Sequence, residues 1–213
     1  MSYAVKETFY TLQGEGARAG RAAVFLRFAG CNLWNGREEA RATAICRFCD
    51  TDFVGTDGDG GGRFQAAASL ADHVLDHWPV TSDPHDRRYV VCTGGEPLLQ
   101  LDKSLIKELH ARDFEISVET NGTIAAPAGI DWLTVSPKIG STLVQDTGDE
   151  LKLVYPQQNG DPQQFVDLDF ALFYLQPMDG PDAVANTQKT IEFIHRNPRW
   201  QLSLQTHKYV GIP

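Results

Sequence analysis

The stretch GCNLWNGREEARATAICRFCDT, residues 30–51, holds three of the four cysteines in this 213-residue chain: Cys31, then Cys46 and Cys49 on either side of Arg47-Phe48. Reduced thiols gathered in one loop read as metal or redox chemistry before they read as disulfides. Thiolates suit iron–sulfur clusters, zinc and copper. A structural zinc wants a fourth thiolate or imidazole at similar spacing, and neither the loop nor its flanks hold a histidine. Three ligands therefore predict a site left open. Cys92 lies far from the loop and is expected in the core.

Around that loop the chain is long enough to bury a substantial core as one domain, 1–213. Its hydrophobic content of 42% fits a globular protein, while a formal net charge of −9 disfavours a nucleic-acid partner, which would call for clustered Lys and Arg. A small-molecule substrate is expected instead. No apolar run approaches the ~18 residues of a membrane span, and no basic region followed by an apolar one opens the chain. A cytoplasmic location is expected.

The segment leading into the loop, Ala22–Phe28 (AAVFLRF), is a near-continuous apolar run and reads as a buried parallel strand. Arg27 inside it is costly to bury without an anionic partner, so it is either paired structurally or aimed at a ligand. Residues 3–9 read as an earlier strand, broken by Leu12-Gln13-Gly14-Glu15-Gly16. Beyond the loop, the Gly/Asp-rich residues 55–62 lack the terminal glutamate of a calcium loop and are expected to form a solvated linker. Ser69 with Asp72 predicts a capped helix start running to about Trp78. His73 and His77 on it have no acid between them and read as a packed or exposed pair, not a zinc site.

Further strands are predicted over 89–92, 114–119, 132–135, 151–155, 170–175 and 200–205, and helices over 97–112, with Leu101, Leu105 and Leu109 on one face, and 181–196. Roughly seven strands against three full helices imply βα units with abbreviated crossovers. Polar or Gly/Pro-bearing clusters follow the C-terminal ends of strand after strand: Thr93-Gly94-Gly95-Glu96-Pro97, Thr120-Asn121-Gly122, Ser136-Pro137-Lys138 and Gln176-Pro177-Met178-Asp179. Barrel active sites form at that end. The expected fold is therefore α/β, a partial βα barrel with abbreviated helices.

Cys46-Arg47-Phe48-Cys49, with an aromatic residue just before its last cysteine, resembles the second half of the radical S-adenosylmethionine signature CxxxCxφC. The chain departs from that signature in having fourteen residues, and not three, between its first two cysteines. Gly94-Gly95-Glu96-Pro97 resembles the superfamily's GGEP motif, and the chain is identified as a member of the radical S-adenosylmethionine superfamily. With Leu12 to Gly16 ahead and Asp50-Thr51 behind, it is most similar to the branch that contracts a pterin ring. The likeness runs along the whole chain.

The resemblance implies a partial barrel and a [4Fe-4S] cluster on Cys31, Cys46 and Cys49, whose open iron takes the amino and carboxylate groups of S-adenosyl-L-methionine. It implies cofactor contacts at Phe48, Cys49, Asp50, Gly94, Gly95, Glu96, Ser136, Pro137, Lys138, Gln176, Pro177, Met178 and Asp179, and Mg2+ at Thr51. Gly94 and Gly95 let the backbone approach a ligand, and a carboxylate at Glu96 complements an ammonium. Taken alone, that motif is an ordinary strand-to-helix turn, and Thr51 alone would bond its own turn.

Implied substrate contacts are Leu12, Gln13, Gly14, Glu15, Arg27, Thr93 and Pro213. The implied substrate is 6-carboxy-5,6,7,8-tetrahydropterin. Arg27 suits its carboxylate by fork geometry, and either Glu15 or the terminal carboxylate of Pro213 suits its donor edge. The implied reaction generates a 5′-deoxyadenosyl radical, takes a hydrogen from the substrate, contracts the ring and releases ammonia, a lyase step toward 7-deazapurines such as queuosine. An external one-electron reductant of the flavodoxin kind and a homodimer are implied as well. The alternatives are a glycyl-radical activating enzyme, which would need a docking surface, and a non-catalytic metal-binding protein, which would need four protein ligands.

Overall fold

The computed structural model describes residues 2–80 and 87–213. Among them nine strands form one mixed sheet: β1 (Tyr3–Leu12), β2 (Ala22–Phe28), β3 (Gly62–Phe64), β4 (Tyr89–Gly94), β5 (Glu115–Thr120), β6 (Trp132–Val135), β7 (Thr147–Tyr155), β8 (Asp169–Pro177) and β9 (Gln201–Leu202). Four α-helices accompany them: α1 (Ala67–Asp76), α2 (Lys103–His110), α3 (Ala183–Arg196) and α4 (Thr206–Val210). The spatial order is β3-β1-β2-β4-β5-β6-β7-β8-β9, with β1 antiparallel to β2 and β3 and every pairing from β2 onward to β9 parallel. The architecture is an α/β fold built on that sheet.

β2 reads as a continuous apolar run because both its faces are covered. Val24, Leu26 and Phe28 enter the main core, while Ala23 joins Tyr89 and Val91 on the other face, with Phe25 and Trp78 against them. It is parallel to β4 but antiparallel to β1, because the link between β1 and β2 is too short for a crossover and closes as a turn through Gln13 N–H to Arg21 O. Between β5 and β8 the crossovers shed their α-helices, leaving loops and a 3₁₀ turn at Pro162–Phe165. α2 packs on β5 and against α1, and α3 packs on β8.

The helix expected over 97–112 is split. Pro97–Leu99 form a 3₁₀ turn, and Asp102 then caps α2 by accepting from Leu105 N–H at 2.9 Å. Gln100, in the break, bonds Ala4 N–H, Ala4 O and Ala29 O, tying β1 to the end of β2 just ahead of Cys31. α1 begins at Ala67, two residues before the expected start, and Ser69 returns its hydroxyl to Ala66 O. His73 and His77 pack ring against ring at 4.7 Å. Cys92 is fully buried in the main core.

Residues 55–62 are not a solvated linker. Thr8 N–H bonds Asp59 O, Gly58 N–H bonds Lys6 O, and a β-carbon at Gly61 would stand 2.3 Å from Lys6 O. Glycine is there so that two backbones can touch, and Gly62 goes on to open β3. The strand expected over 200–205 contracts to Gln201–Leu202, and the residues after it form α4.

Candidate active site at the strand ends

The C-terminal ends of the parallel strands open onto two cavities of about 190 Å³ and about 270 Å³, which share Glu15, Asp50, Thr51, Thr93, Glu119 and Gln205 in their walls. Cys31, Cys46 and Cys49 line the first, with Phe48 and Trp34 from the same loop. Gly94 and Gly95 after β4, Ser136 and Lys138 after β6, and Gln176, Pro177, Met178 and Asp179 at the end of β8 complete the set expected from sequence. Two expected residues stand outside this wall, Glu96 and Pro137. Among the described residues, no group of three or more His, Cys, Asp or Glu side chains meets as the ligand set of a metal ion.

The long insert between the first two cysteines is a brace. It contains a 3₁₀ turn, Glu38–Thr43, from which Arg41 lays its guanidinium over the Trp34 ring at 4.1 Å and donates to Arg47 O and Cys49 O, each at 3.0 Å. Trp34 is itself buried, edge-on to Phe53. The Cys46–Cys49 turn is thereby tied through Arg41 to Trp34, three residues after Cys31. A β-carbon on Gly95 would stand 2.3 Å from Gly30 O and 2.6 Å from the Cys31 β-carbon, and one on Gly94, at φ +142°, would strike Phe28 O. Only glycines let β4 end directly beneath the first cysteine.

The hydrogen bond between the Cys46 and Cys49 side chains divides their acidities: Cys49 is brought down to about 6 and Cys46 is pushed up, further raised by burial. Burial also raises Cys31. Lys138, its own pKa lowered by burial, places an ammonium near the pair that favours thiolate at both. Glu96 lies behind the glycines, wholly buried, and accepts from Leu98 N–H at 3.0 Å, the Thr120 hydroxyl at 2.8 Å and Asn121 N–H at 2.8 Å. It ties the end of β4 to the end of β5. Burial raises its pKa, and these bonds oppose the rise.

Every residue expected at the substrate lines the second cavity: Leu12, Gln13, Gly14, Glu15, Arg27, Thr93 and Pro213. Of the two alternatives for Arg27 the structural pair is present, its Nε donating to Glu7 Oε1 at 2.6 Å, and the residue also lines the cavity. The Thr11 hydroxyl donates to Pro213 O at 3.0 Å. α4 is fastened over this cavity: Thr206 bonds Gly14 O through both its N–H and its hydroxyl, and Lys208 reaches Asp50 at 2.6 Å and Asp179 at 2.5 Å. His207 packs so closely on Gly14 that a β-carbon there would stand 2.1 Å from its Nδ1.

At the junction of the cavities lies a charge cluster that the sequence reading missed. Lys152 Nζ contacts Glu15 Oε2 at 2.6 Å and Glu119 Oε2 at 2.8 Å, with its side chain only 5% exposed. Glu15 also accepts from Gln176 at 3.1 Å and Gln205 at 2.9 Å. Burial would raise Glu15, but Lys152, with the Gln205 hydrogen bond and nearby His207, brings it down to about 2, whereas at Glu119 burial prevails and the pKa rises to about 7. Burial would lower Lys152, yet Glu119, Glu15 and Glu150 hold it above the ordinary lysine value. The signal was present: Lys152 interrupts the apolar run of β7 as Arg27 interrupts β2. The same test for a costly buried charge would have found it.

No family model matches the chain. It is 62% identical over 213 residues to the 7-carboxy-7-deazaguanine synthase of Caulobacter vibrioides and 63% over 212 residues to that of Bradyrhizobium diazoefficiens, covering all of each protein. The synthase of Synechocystis is 31% identical over 226 residues, matched along all of this chain and 94% of its own. In three dimensions the chain resembles the crystal structure of QueE from Escherichia coli, with a TM-score of 0.68 and 25% identity over 97% of this chain and 95% of that one. Identity of this order spans every strand end that lines the two cavities, and by it the chain belongs to the 7-carboxy-7-deazaguanine synthase family.

Proposed function

We propose that this chain converts 6-carboxy-5,6,7,8-tetrahydropterin to 7-carboxy-7-deazaguanine with loss of ammonia, acting as a radical S-adenosylmethionine lyase on the route to 7-deazapurines such as queuosine. The observation that carries this reading is the pair of abutting cavities, one walled by three thiols and two obligatory glycines, the other by Arg27 and Pro213. The same reading takes the nine-stranded sheet as an incomplete barrel and residues 1–213 as one domain. It includes a homodimer and an external one-electron donor of the flavodoxin kind.

The donor set fits the implied groups. Cys31, Cys46 and Cys49 would hold a [4Fe-4S] cluster, Thr51 would offer its hydroxyl to Mg2+, which needs few protein ligands, and the residues of the first cavity would hold S-adenosylmethionine. When bound, these groups supply the one-electron chemistry that takes a hydrogen from the substrate. The chain's own residues bind, orient and exclude water. Arg27 would grip the substrate carboxylate while Glu7 holds the guanidinium in the wall, and α4, tied by Lys208, would cover the pocket.

The test is anaerobic reconstitution with iron and sulfide, then incubation with reductant, S-adenosylmethionine, Mg2+ and the tetrahydropterin, reading product by mass. Deoxyadenosine formed without any pterin-derived product would keep the superfamily and reject this substrate. For Arg27→Lys the charge persists but the fork is lost, so pterin affinity should fall about tenfold or more, at ~1.5–3 kcal/mol per charged hydrogen bond. Thermal stability should barely move. An early melt with unchanged affinity would assign Arg27 to its Glu7 pair alone.

Pro213 would present its α-carboxylate to the pterin's donor edge, held there by Thr11. A variant with a few residues added after Pro213 should bind the pterin at least tenfold more weakly while retaining iron. Equal affinity for the extended protein would move that role to Glu15.

A further inference from the structure

We propose that Glu119 is the proton-transfer residue for the ammonia-releasing stage, positioned by Lys152 and Gln13; this role rests on the pterin reading above. Substrate and product differ by the elements of ammonia alone, so the conversion is redox-neutral. Its last stage must break one ring C–H bond and one C–N bond. The C–H electron pair becomes the ring double bond, the C–N pair leaves on nitrogen, and nitrogen gains a proton. A carboxyl group that gives its proton to the departing amine and takes one from carbon ends as it began.

Of the carboxyl groups around Lys152, two, Glu15 and Glu119, line both cavities, and their hydrogen bonds tell them apart. Glu119 stands at the end of β5 in the wall shared by both cavities, where cofactor-side and substrate-side residues face each other. Its Oε1 accepts from Gln13 Nε2 at 3.1 Å and its Oε2 from Lys152 at 2.8 Å, which fixes the carboxyl plane. Three carboxylates, Glu15, Glu119 and Glu150, face the single ammonium of Lys152, so one cation cannot keep all of them ionised. Glu15 is saturated by Lys152, Gln176 and Gln205 and stays an anion. Glu150 bonds Ala17 N–H and lines neither cavity. Glu119 alone of the three lines both cavities with only one donor on each carboxyl oxygen, and burial, which raises its pKa to about 7, suits it to carry a proton. Arg27 and His207, which line the same second cavity, complete the charged or titratable side chains on its substrate side together with Asp50, Asp52, Glu7 and Lys208.

The experiment compares native protein, Glu119→Gln and Glu119→Asp, each reconstituted and supplied with the pterin. Glu119→Gln keeps the side-chain shape and the acceptor facing Lys152, gives up the acceptor facing Gln13, and cannot shuttle a proton. Its pterin affinity should stay within about threefold of native by calorimetry, while product formation falls on the order of a hundredfold or more. The pterin it consumes should accumulate as an isomer of unchanged mass, its ammonia retained. Glu119→Asp should restore part of the ammonia release, with a displaced pH profile for the partition between isomer and product. Product and free ammonia formed at the native rate by both variants would overturn the role, as would loss of pterin binding with turnover of the bound fraction unchanged. If native protein consumes no pterin at all, the functional reading itself fails and this role falls with it.

Discussion

Lys152→Met is expected to destabilise the protein by about 3–5 kcal/mol at pH 8, because it leaves buried carboxylates without their cation. The side chain that replaces the lysine is apolar and of similar length, so packing survives and the loss is electrostatic. The sign of the pH dependence distinguishes this from a packing defect. In the native protein the depressed Glu15 contributes stability that is present above the ordinary carboxylate range and lost as pH falls toward 2. Glu119 works the other way, opposing folding increasingly as pH climbs from the ordinary carboxylate range to about 7. Without Lys152 both groups, and Glu150 beside them, are pushed upward by burial. The variant should therefore recover stability as pH is lowered from 8 to 5, read as urea midpoints across that range. An equal deficit at pH 5 and pH 8 would mean that Lys152 acts by filling space.

Replacing Cys31, Cys46 or Cys49 with Ala should abolish turnover and leave reconstituted protein with little bound iron. Each thiol lines the first cavity, Arg41 ties Trp34 to the Cys46–Cys49 turn, and Gly95 lets β4 end against Cys31. Cys92→Ala is the control. Its sulfur is sealed in the core with its thiol raised by burial to about 12, so it should keep native iron content and activity and lose only about 1–2 kcal/mol of stability. Iron loss in Cys92→Ala, or iron retained in full by Cys46→Ala, would show the ligand assignment to be wrong.

Much of the candidate site was legible because its chemistry is carried by short stretches. The cysteine loop, the double glycine after β4, the polar clusters closing β6 and β8 and the anomalous Arg27 each announce themselves within a few residues, and the clusters' place directly after each strand puts them at its C-terminal end. What escaped is held together over distance. Lys152 meets Glu15 and Glu119 only because β7 and β5 end at the same face of the sheet, with Glu15 brought to that face from the far side of β2. α4 is too short to carry a periodic signal, and it is ordered by Gly14, Asp50 and Asp179 from three distant segments.

The same division runs through the fold. Residue type and spacing by themselves located most of the strands and three of the four helices and gathered three thiols into one loop, leaving out β3 and α4, because steric preference, hydrophobic period and ligand chemistry act between near neighbours. Only the tertiary structure decided that β2 runs antiparallel to β1, that residues 55–62 fold onto β1, that Glu96 braces the strand ends from behind them, and that a buried lysine joins two carboxyl groups shared by both cavities. Each of these depends on which backbone or charge arrives from elsewhere in the chain, and a buried charge or a close backbone contact acquires its energy only once that partner is in place.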